Sequence, residues 1–523
     1  MELHGRVVPL ATDDPERHFN GRVRLGDDGS IDSVLRNRGS SSNGLRAVDV
    51  GDAFIYPGLI DLHSHIGFAP LPLWDEPTRD RPFLHHNTWP TAPSYRPLIS
   101  WPAYALIKGA PEALLAYAQV RALAGGTTSI QGWPPANRRP ANQLVRNVDD
   151  ALFRDGSTDK IRTSALTLSV ADLKQRARHI DSGGGFIYHC AEGQNRSLAA
   201  REFAEVARAG CLRSRLIAIH CNAVGDADFR QWREHAALAG DSAPGSVVWS
   251  PFSNLWLYGE TTDVAAARKH RVSVCLGTDW APSGTKNLLG ELKIADLWIQ
   301  EADLDIGHFD LAQMVTSSPG DALGAYWPHA AGRLEPGRLA DITVVARRHA
   351  DPWKNLVMAH ESDVLLVVVG GSPRYGTRDL MRAAGEVRTT SVEIGADRRH
   401  VPLRKPDDPE RVWTWSGVLG ELDEVRADPD AAIERGHRAA RAALEASLMN
   451  GAAPPNGAAP PALVLELDMP GAPETFAGPP PPGAEFEVPK PSSLVHDRPW
   501  LASLRKRGFH NGVLDRVAGY YAR

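Results

Sequence analysis

The sequence predicts an α/β protein whose main body is a (β/α)8 TIM barrel. A small β unit flanks it and a long extension follows. Four short apolar runs carry the prediction: "GFIYHCAEG", "RLIAIHCNA", "SVVWSPFSN" and "SVCLGTDWA". They end at His189, His220, Ser250 and Asp279, which are 31, 30 and 29 residues apart. Stretches with helical periodicity, such as "SLAAREFAEVARAG" and "DADFRQWREHAALAG", fill the gaps. A barrel of about 250 residues has roughly 31 residues per βα unit. Successive units at that period give a parallel sheet.

The elements follow in order. Residues 1–55 read as short strands and turns, with "GRVRLGDDGSIDSVLR" alternating around a D-D-G-S turn as a hairpin does. Residues 56–330 hold the barrel, with "AFIYPGLIDLH" as strand 1 and "GTTSIQG" as strand 2, ending near Gln131. A Pro- and Trp-rich insert, about 66–102, separates them. Only 58 residues run from Gln131 to His189, where three βα steps need about 90. "QLVRNVDD" and "IRTSALTLSV" are the candidates for strands 3 and 4, so the barrel is either trimmed or distorted there. Residues 331–380 are strand-rich again, positioned to complete the N-terminal β unit. Within 381–523, a helix is expected over 429–449, capped by Asp428 with Pro429 at its first position. A Pro-rich low-complexity segment follows, then a short amphipathic stretch suited to docking or to contact between subunits.

Composition narrows the function. With 58 Lys and Arg against 63 Asp and Glu, the net charge is −5 and no basic stripe stands out, so nothing points to nucleic acid. The longest strongly apolar run, "VLLVVV", falls far short of the ~20 residues needed to span a bilayer, so no membrane partner is expected. Four scattered cysteines, Cys190, Cys211, Cys221 and Cys275, form no CxxC pair. That usage, with an N-terminus lacking an apolar signal segment, gives the expectation of a cytoplasmic protein.

Residues i and i+2 of a strand face the same side, so His63 and His65 point together at the end of strand 1. His189, His220 and Asp279 end strands 5, 6 and 8 on the same rim, where barrel enzymes carry their chemistry. If His189 and His220 point inward, alternation turns Cys190 and Cys221 away. The donors left are imidazole and carboxylate, which suit Zn²⁺, Fe²⁺ or Mn²⁺. Glu192, three residues after His189, is placed to move a proton. His220 is either a further ligand or a hydrogen-bond donor to the reacting group. Aromatics of the insert and strand ends suggest a flat small-molecule substrate, with Trp89, Asn254 and Trp280 as candidate contacts.

The motifs "PGLIDLHSH", "GGTTSI", "HCAE", "IAIHC", "SPFSNLWLYG", "GTDWAPSG" and "GRLEPGRLADITVV" occur in the order seen in the amidohydrolase superfamily. The chain resembles its mononuclear branch, which includes cytosine deaminase, guanine deaminase and the triazine hydrolases. The resemblance implies one divalent ion, Zn²⁺ or Fe²⁺, held by His63, His65, His189 and Asp279. It implies Glu192 as the proton shuttle and His220 as the residue orienting water or polarising substrate, with Asp279 also taking part in catalysis. It further implies a β-sandwich made from both flanks of the barrel and a homodimer. No lysine stands at a plausible end of strand 4, Lys160 and Lys174 being nearest, which argues against a bridged two-metal centre. The expected reaction is C–N hydrolysis, as deamination of a heterocycle or, alternatively, as amide or cyclic-amide hydrolysis. An inactive binding scaffold is the remote alternative.

Overall fold

The first four strands are β1 (Glu2–Val7), β2 (Phe19–Leu25), β3 (Ile31–Arg36) and β4 (Ala47–Pro57). The structure, a computed structural model, describes residues 1–36, 44–149, 161–165, 167–194, 196–324, 331–449, 462–466, 487–504 and 512–522. The Pro-rich segment expected after the long helix lies mostly outside them, as does Lys160; Lys174 lies in the helix Val170–Asp181.

Eight further strands follow in chain order: β5 (Leu59–Asp61), β6 (Thr127–Ile130), β7 (Arg146–Asn147), β8 (Ile161–Ser164), β9 (Gly185–Cys190), β10 (Leu216–His220), β11 (Ser246–Trp249) and β12 (Ser273–Leu276). They form two sheets, β5-β6-β7 and β12-β11-β10-β9-β8, in which every pairing is parallel. A parallel bridge between Ser64 and Asp279, with Asp279 N donating to His63 O at 2.8 Å, ties the end of β5 to the end of β12. One apolar cluster draws Ile60, Val148, Ile161, Ile187, Ile217, Ile219, Val248 and Cys275 from both sheets. All but Cys275 are the β-branched side chains that fill a parallel core.

Strand 1 of the sequence reading divides in two. Its first half is the end of β4 and its second is β5, with Gly58 between. A Cβ on Gly58 would stand 2.3 Å from Thr128 Oγ1, so the crossing needs glycine. Part of the shortfall between Gln131 and His189 is a trimming. β7 has two residues, and the described residues between β6 and β7 hold no helix.

The chain then returns to the first sheet with β13 (Ile342–Val345), β14 (Val364–Val369), β15 (Ser372–Gly376), β16 (Thr390–Ile394) and β17 (Asp397–Val401). The resulting nine-stranded sheet has the order β16-β17-β15-β14-β13-β4-β1-β2-β3. The junction is β13 against β4, with Val344 opposite Ile55. Leu3, Val48, Ile342, Val344 and Leu366 are buried on one of its faces.

The insert after β5 crosses the strand ends. Trp74 N donates to Pro282 O, Phe83 N to Leu257 O, His86 N to Glu192 O and Gln194 N to Leu84 O, at 2.8 to 3.2 Å. The long helix spans Pro429–Met449, and Asp428 Oδ1 accepts from Ala431 N. Beyond it, residues 487–504 and 512–522 pack on the chain's own helices. Trp500 lies against Phe252, and His496 Nδ1 sits 2.6 Å from Glu361 Oε1. Among the described residues, no helix is long and apolar enough to cross a membrane.

Candidate active site and metal centre

His63 Nε2 lies 3.0 Å from His189 Nε2 and 3.2 Å from Asp279 Oδ1. His65 Nε2 lies 3.3 Å from His189 Nε2 and 3.7 Å from Asp279 Oδ1. Backbone and hydroxyl partners set the tautomers. His63 Nδ1 lies 2.7 Å from Ser250 Oγ, which accepts when the ring proton is on Nδ1, and His189 Nδ1 lies 3.4 Å from Ser164 O, a carbonyl that can only accept. The Nε2 lone pairs therefore face one another and the Asp279 carboxylate.

Such an arrangement repels itself unless a cation lies inside it. Donors bound at about 2.0–2.2 Å to a tetrahedral ion stand about 3.3–3.6 Å apart, and these separations fall around that value. Burial also disfavours charge on His65 and His189. It pushes His65 down to about 4, and it pushes His189 well below the usual histidine value with help from His63 and His65. Burial opposes the Asp279 charge, but the His63 imidazole outweighs it and holds the carboxyl below the usual range. The donor set fits a divalent ion. Gly277 makes room for the His63 side chain, since a Cβ there would stand 2.5 Å from His63 Cβ.

His220 reaches the site by a different route from the one alternation predicts. Ile217 and Ile219 are the β10 side chains in the inner apolar cluster, so strict alternation would turn His220 outward. The backbone instead turns left-handed at His220 (φ 68°) and Cys221 (φ 53°), and the ring stands 4.6 Å from that of His63. Asp279 (φ 58°) and Ala191 (φ 54°) are also left-handed. Such non-glycine residues cost about 1–3 kcal/mol each and cluster at functional sites.

Asn254, expected to touch substrate, lies behind His220 and is fully buried. Thr261 Oγ1 donates to its Oδ1, which leaves Nδ2 to donate to His220 Nδ1 at 3.0 Å. The His220 proton then sits on Nε2, 3.5 Å from Glu192 Oε2 and 4.0 Å from Asp279 Oδ2. Asn254 is thus a positioning residue for His220 and does not line the cavity.

Glu192 is held from several sides. Tyr258 Oη donates to its Oε1 at 2.6 Å, and Trp89 Nε1 donates to Tyr258 Oη at 3.0 Å. His86 Nδ1 lies 3.3 Å from its Oε2. Burial works against its charge, but His220 and His86 outweigh burial and hold it below the usual carboxylate range. Burial and the adjacent Glu192 push the Tyr258 phenol well up, so it stays a donor.

These groups open on one cavity. His65, His189, Glu192, His220 and Asp279 line one side, and Phe68, Trp89, Tyr95 and Trp280 the other. The Trp89 and Trp280 rings are 5.0 Å apart and inclined by 34°. The sequence reading did not assign Ser250, Tyr258, His86 or Glu202 a role. Ser250 and Tyr258 stand within "SPFSNLWLYG", and the adjacent His85 and His86 were the available signal in the insert.

Residues 173–374 match the model of the amidohydrolase family. The S-triazine hydrolase of Gordonia rubripertincta is 30% identical over 174 residues, which cover 31% of this chain and 34% of that protein. The 5-methylthioadenosine/S-adenosylhomocysteine deaminase of Symbiobacterium thermophilum is 24% identical over 420 residues, covering 71% of this chain and 92% of that one. By fold, the structure of atrazine chlorohydrolase TrzN from Arthrobacter aurescens TC1 complexed with zinc superposes with a TM-score of 0.54 at 17% identity, over 71% of this chain and 94% of that one. The chain therefore carries an amidohydrolase family domain over residues 173–374.

Proposed function

We propose that this chain is a metal-dependent hydrolase that cleaves a C–N bond with water, acting as an aminohydrolase on a flat heterocycle. One observation carries the reading. His65, His189 and Asp279, with the buried His63 directly behind them, share one aromatic-walled cavity with the Glu192 carboxylate and a histidine N–H. We also infer that the two parallel sheets are halves of one (β/α)8 barrel. The Ser64–Asp279 bridge and the shared apolar cluster support this.

His63, His65, His189 and Asp279 would hold the ion. When bound, it supplies Lewis acidity and lowers the pKa of water towards 7. Zinc is the ion proposed, in line with the zinc named for the TrzN structure. Glu192, ionised at neutral pH, takes a proton from the attacking water and hands it to the departing nitrogen. The hydroxyl goes to the ring carbon, the C–N bond breaks and ammonia leaves. His220 Nε2–H donates to the atom that gains negative charge. The aromatic wall formed by Phe68, Trp89, Tyr95 and Trp280 offers ring faces for the heterocycle to stack on.

The test is ammonia release by zinc-loaded protein from a panel holding 5′-methylthioadenosine, S-adenosylhomocysteine, guanine, cytosine and aminotriazines. One of these is expected to be turned over. The E192Q variant should lose about 10²–10⁴ in rate while keeping its zinc. Turnover of cyclic amides without ammonia release from any of the panel would replace the aminohydrolase reading by amide hydrolysis.

A further inference from the structure

His86 belongs to the insert, yet it sits between two buried carboxylates. Its Nδ1 lies 3.3 Å from Glu192 Oε2 and its Nε2 lies 3.1 Å from Glu202 Oε1. Glu202, on the helix Arg196–Arg208, does not line the cavity. Its Oε2 accepts from Ala191 N at 2.9 Å, and its Oε1 accepts from Thr167 Oγ1 at 3.2 Å. His86, Glu192 and Glu202 are 6%, 5% and 7% exposed. His86 Nε2 also lies 3.1 Å from Thr167 Oγ1, whose single proton goes to Glu202, so a neutral imidazole with one N–H would present a lone pair either to Glu192 or to the Thr167 and Glu202 oxygens. Only the imidazolium donates to both.

The other groups facing the pair fit this assignment. Burial keeps the adjacent His85 ring below the usual histidine value, so it adds no second cation. Tyr258 and His220 also face Glu192, as a phenol donor and an N–H donor, and the His189 ring stands near enough to interact with its charge. Burial works against a charged His86, and its two carboxylate partners outweigh burial and raise it to about 10.

We propose that Glu202 and His86 are positioning residues for Glu192: Glu202 keeps His86 as an imidazolium, and the imidazolium keeps Glu192 ionised with its carboxylate at the cavity. A buried acid that orients a histidine, which in turn serves the reacting group, follows the logic of catalytic triads. Because His86 arrives on the insert, the proton carrier is competent only when the insert is docked. The backbone pairing of His85 with Gly193 sets that docking beside Glu192. The inference rests on the reading of Glu192 as proton carrier.

The experiment uses the zinc-loaded full chain with ¹⁵N-labelled imidazoles, followed by long-range ¹H–¹⁵N spectra and by ammonia release against pH. One histidine should keep both ring nitrogens protonated from pH 6 to 9, and H86Q should remove that signal. In E202Q the same histidine should become a neutral tautomer by pH 8. The acid limb of the rate profile should then rise by about 1–3 pH units, as expected when a carboxylate loses an opposite charge. E202D should restore part of both. A neutral His86 in the unaltered protein at pH 7.5, or an E202Q spectrum with His86 unchanged, overturns the proposal. So does a second tightly bound zinc equivalent that disappears in E202Q, since His85, His86 and Glu202 would then be ligands. If E192Q keeps its ammonia release, the proposed role of Glu192 fails, while the spectra still decide the pairing of Glu202 with His86.

Discussion

Ser250 follows β11 directly, and its hydroxyl takes the Nδ1–H of His63 in a fully buried contact. With the ring proton on Nδ1, that contact leaves the Nε2 lone pair of His63 towards the centre. Outer partners of this kind typically contribute 10–100-fold to metal affinity. S250A should therefore bind zinc about 10–100-fold more weakly in competition with a chelator, with its circular dichroism unchanged. Unaltered affinity would remove the hydroxyl from this role. His63, His65, His189 and Asp279 were legible in the sequence because each sits in a short motif at a strand end. Ser250 was read as a strand end and nothing more, because its partner lies 187 residues away. Glu192 and His86 are likewise 106 residues apart.

The turn from β11 into the helix Pro251–Tyr258 carries the partners of two other groups: Asn254 holds His220, and Tyr258 holds Glu192. This single turn of chain therefore orients both the proposed charge-stabilising histidine and the proposed proton carrier. N254A should lower kcat by roughly 10-fold, the size of one misdirected catalytic proton donor in a buried site, and leave KM within twofold. A change confined to KM would restore Asn254 as a substrate contact. Period and apolar runs made β9 to β12 readable, because a buried parallel strand is an uninterrupted apolar run. The left-handed turns at Ala191, His220 and Asp279 were not readable, since none of these residue types demands that conformation.

Lys286 illustrates how the last described segments join the rest of the molecule. Its Nζ donates to Ser493 O at 2.6 Å, and its backbone N donates to His496 Nε2 at 2.9 Å. Burial, with Arg121 nearby, pushes its pKa down from 10.5 to about 7. The folded chain thus releases this proton near pH 7, whereas the unfolded chain holds it to above pH 10. Between those values the unfolded state binds more protons, so the contribution of Lys286 to stability rises with pH, by at most about 1.4 kcal/mol per unit. Below pH 7 both states are protonated, and the cost of burying the charge is fully present. Denaturant unfolding at pH 7, 8 and 9 should show the stability of the unaltered chain climbing relative to K286M. A pH-independent difference would place the charge elsewhere.

The sequence by itself determined the βα body, the metal-suited donors, Glu192, and the two flanks that meet in one sheet. Each of these is encoded locally, as a period, a motif or a run of β-branched residues. Tertiary structure alone decided how the donors' lone pairs are aimed, that Asn254 serves His220, that the insert brings His86 to Glu192, and that the final segments pack on the chain's own helices. These depend on contacts between residues tens to hundreds of positions apart, and hydrogen-bond direction and burial exist only once the chain has closed around them.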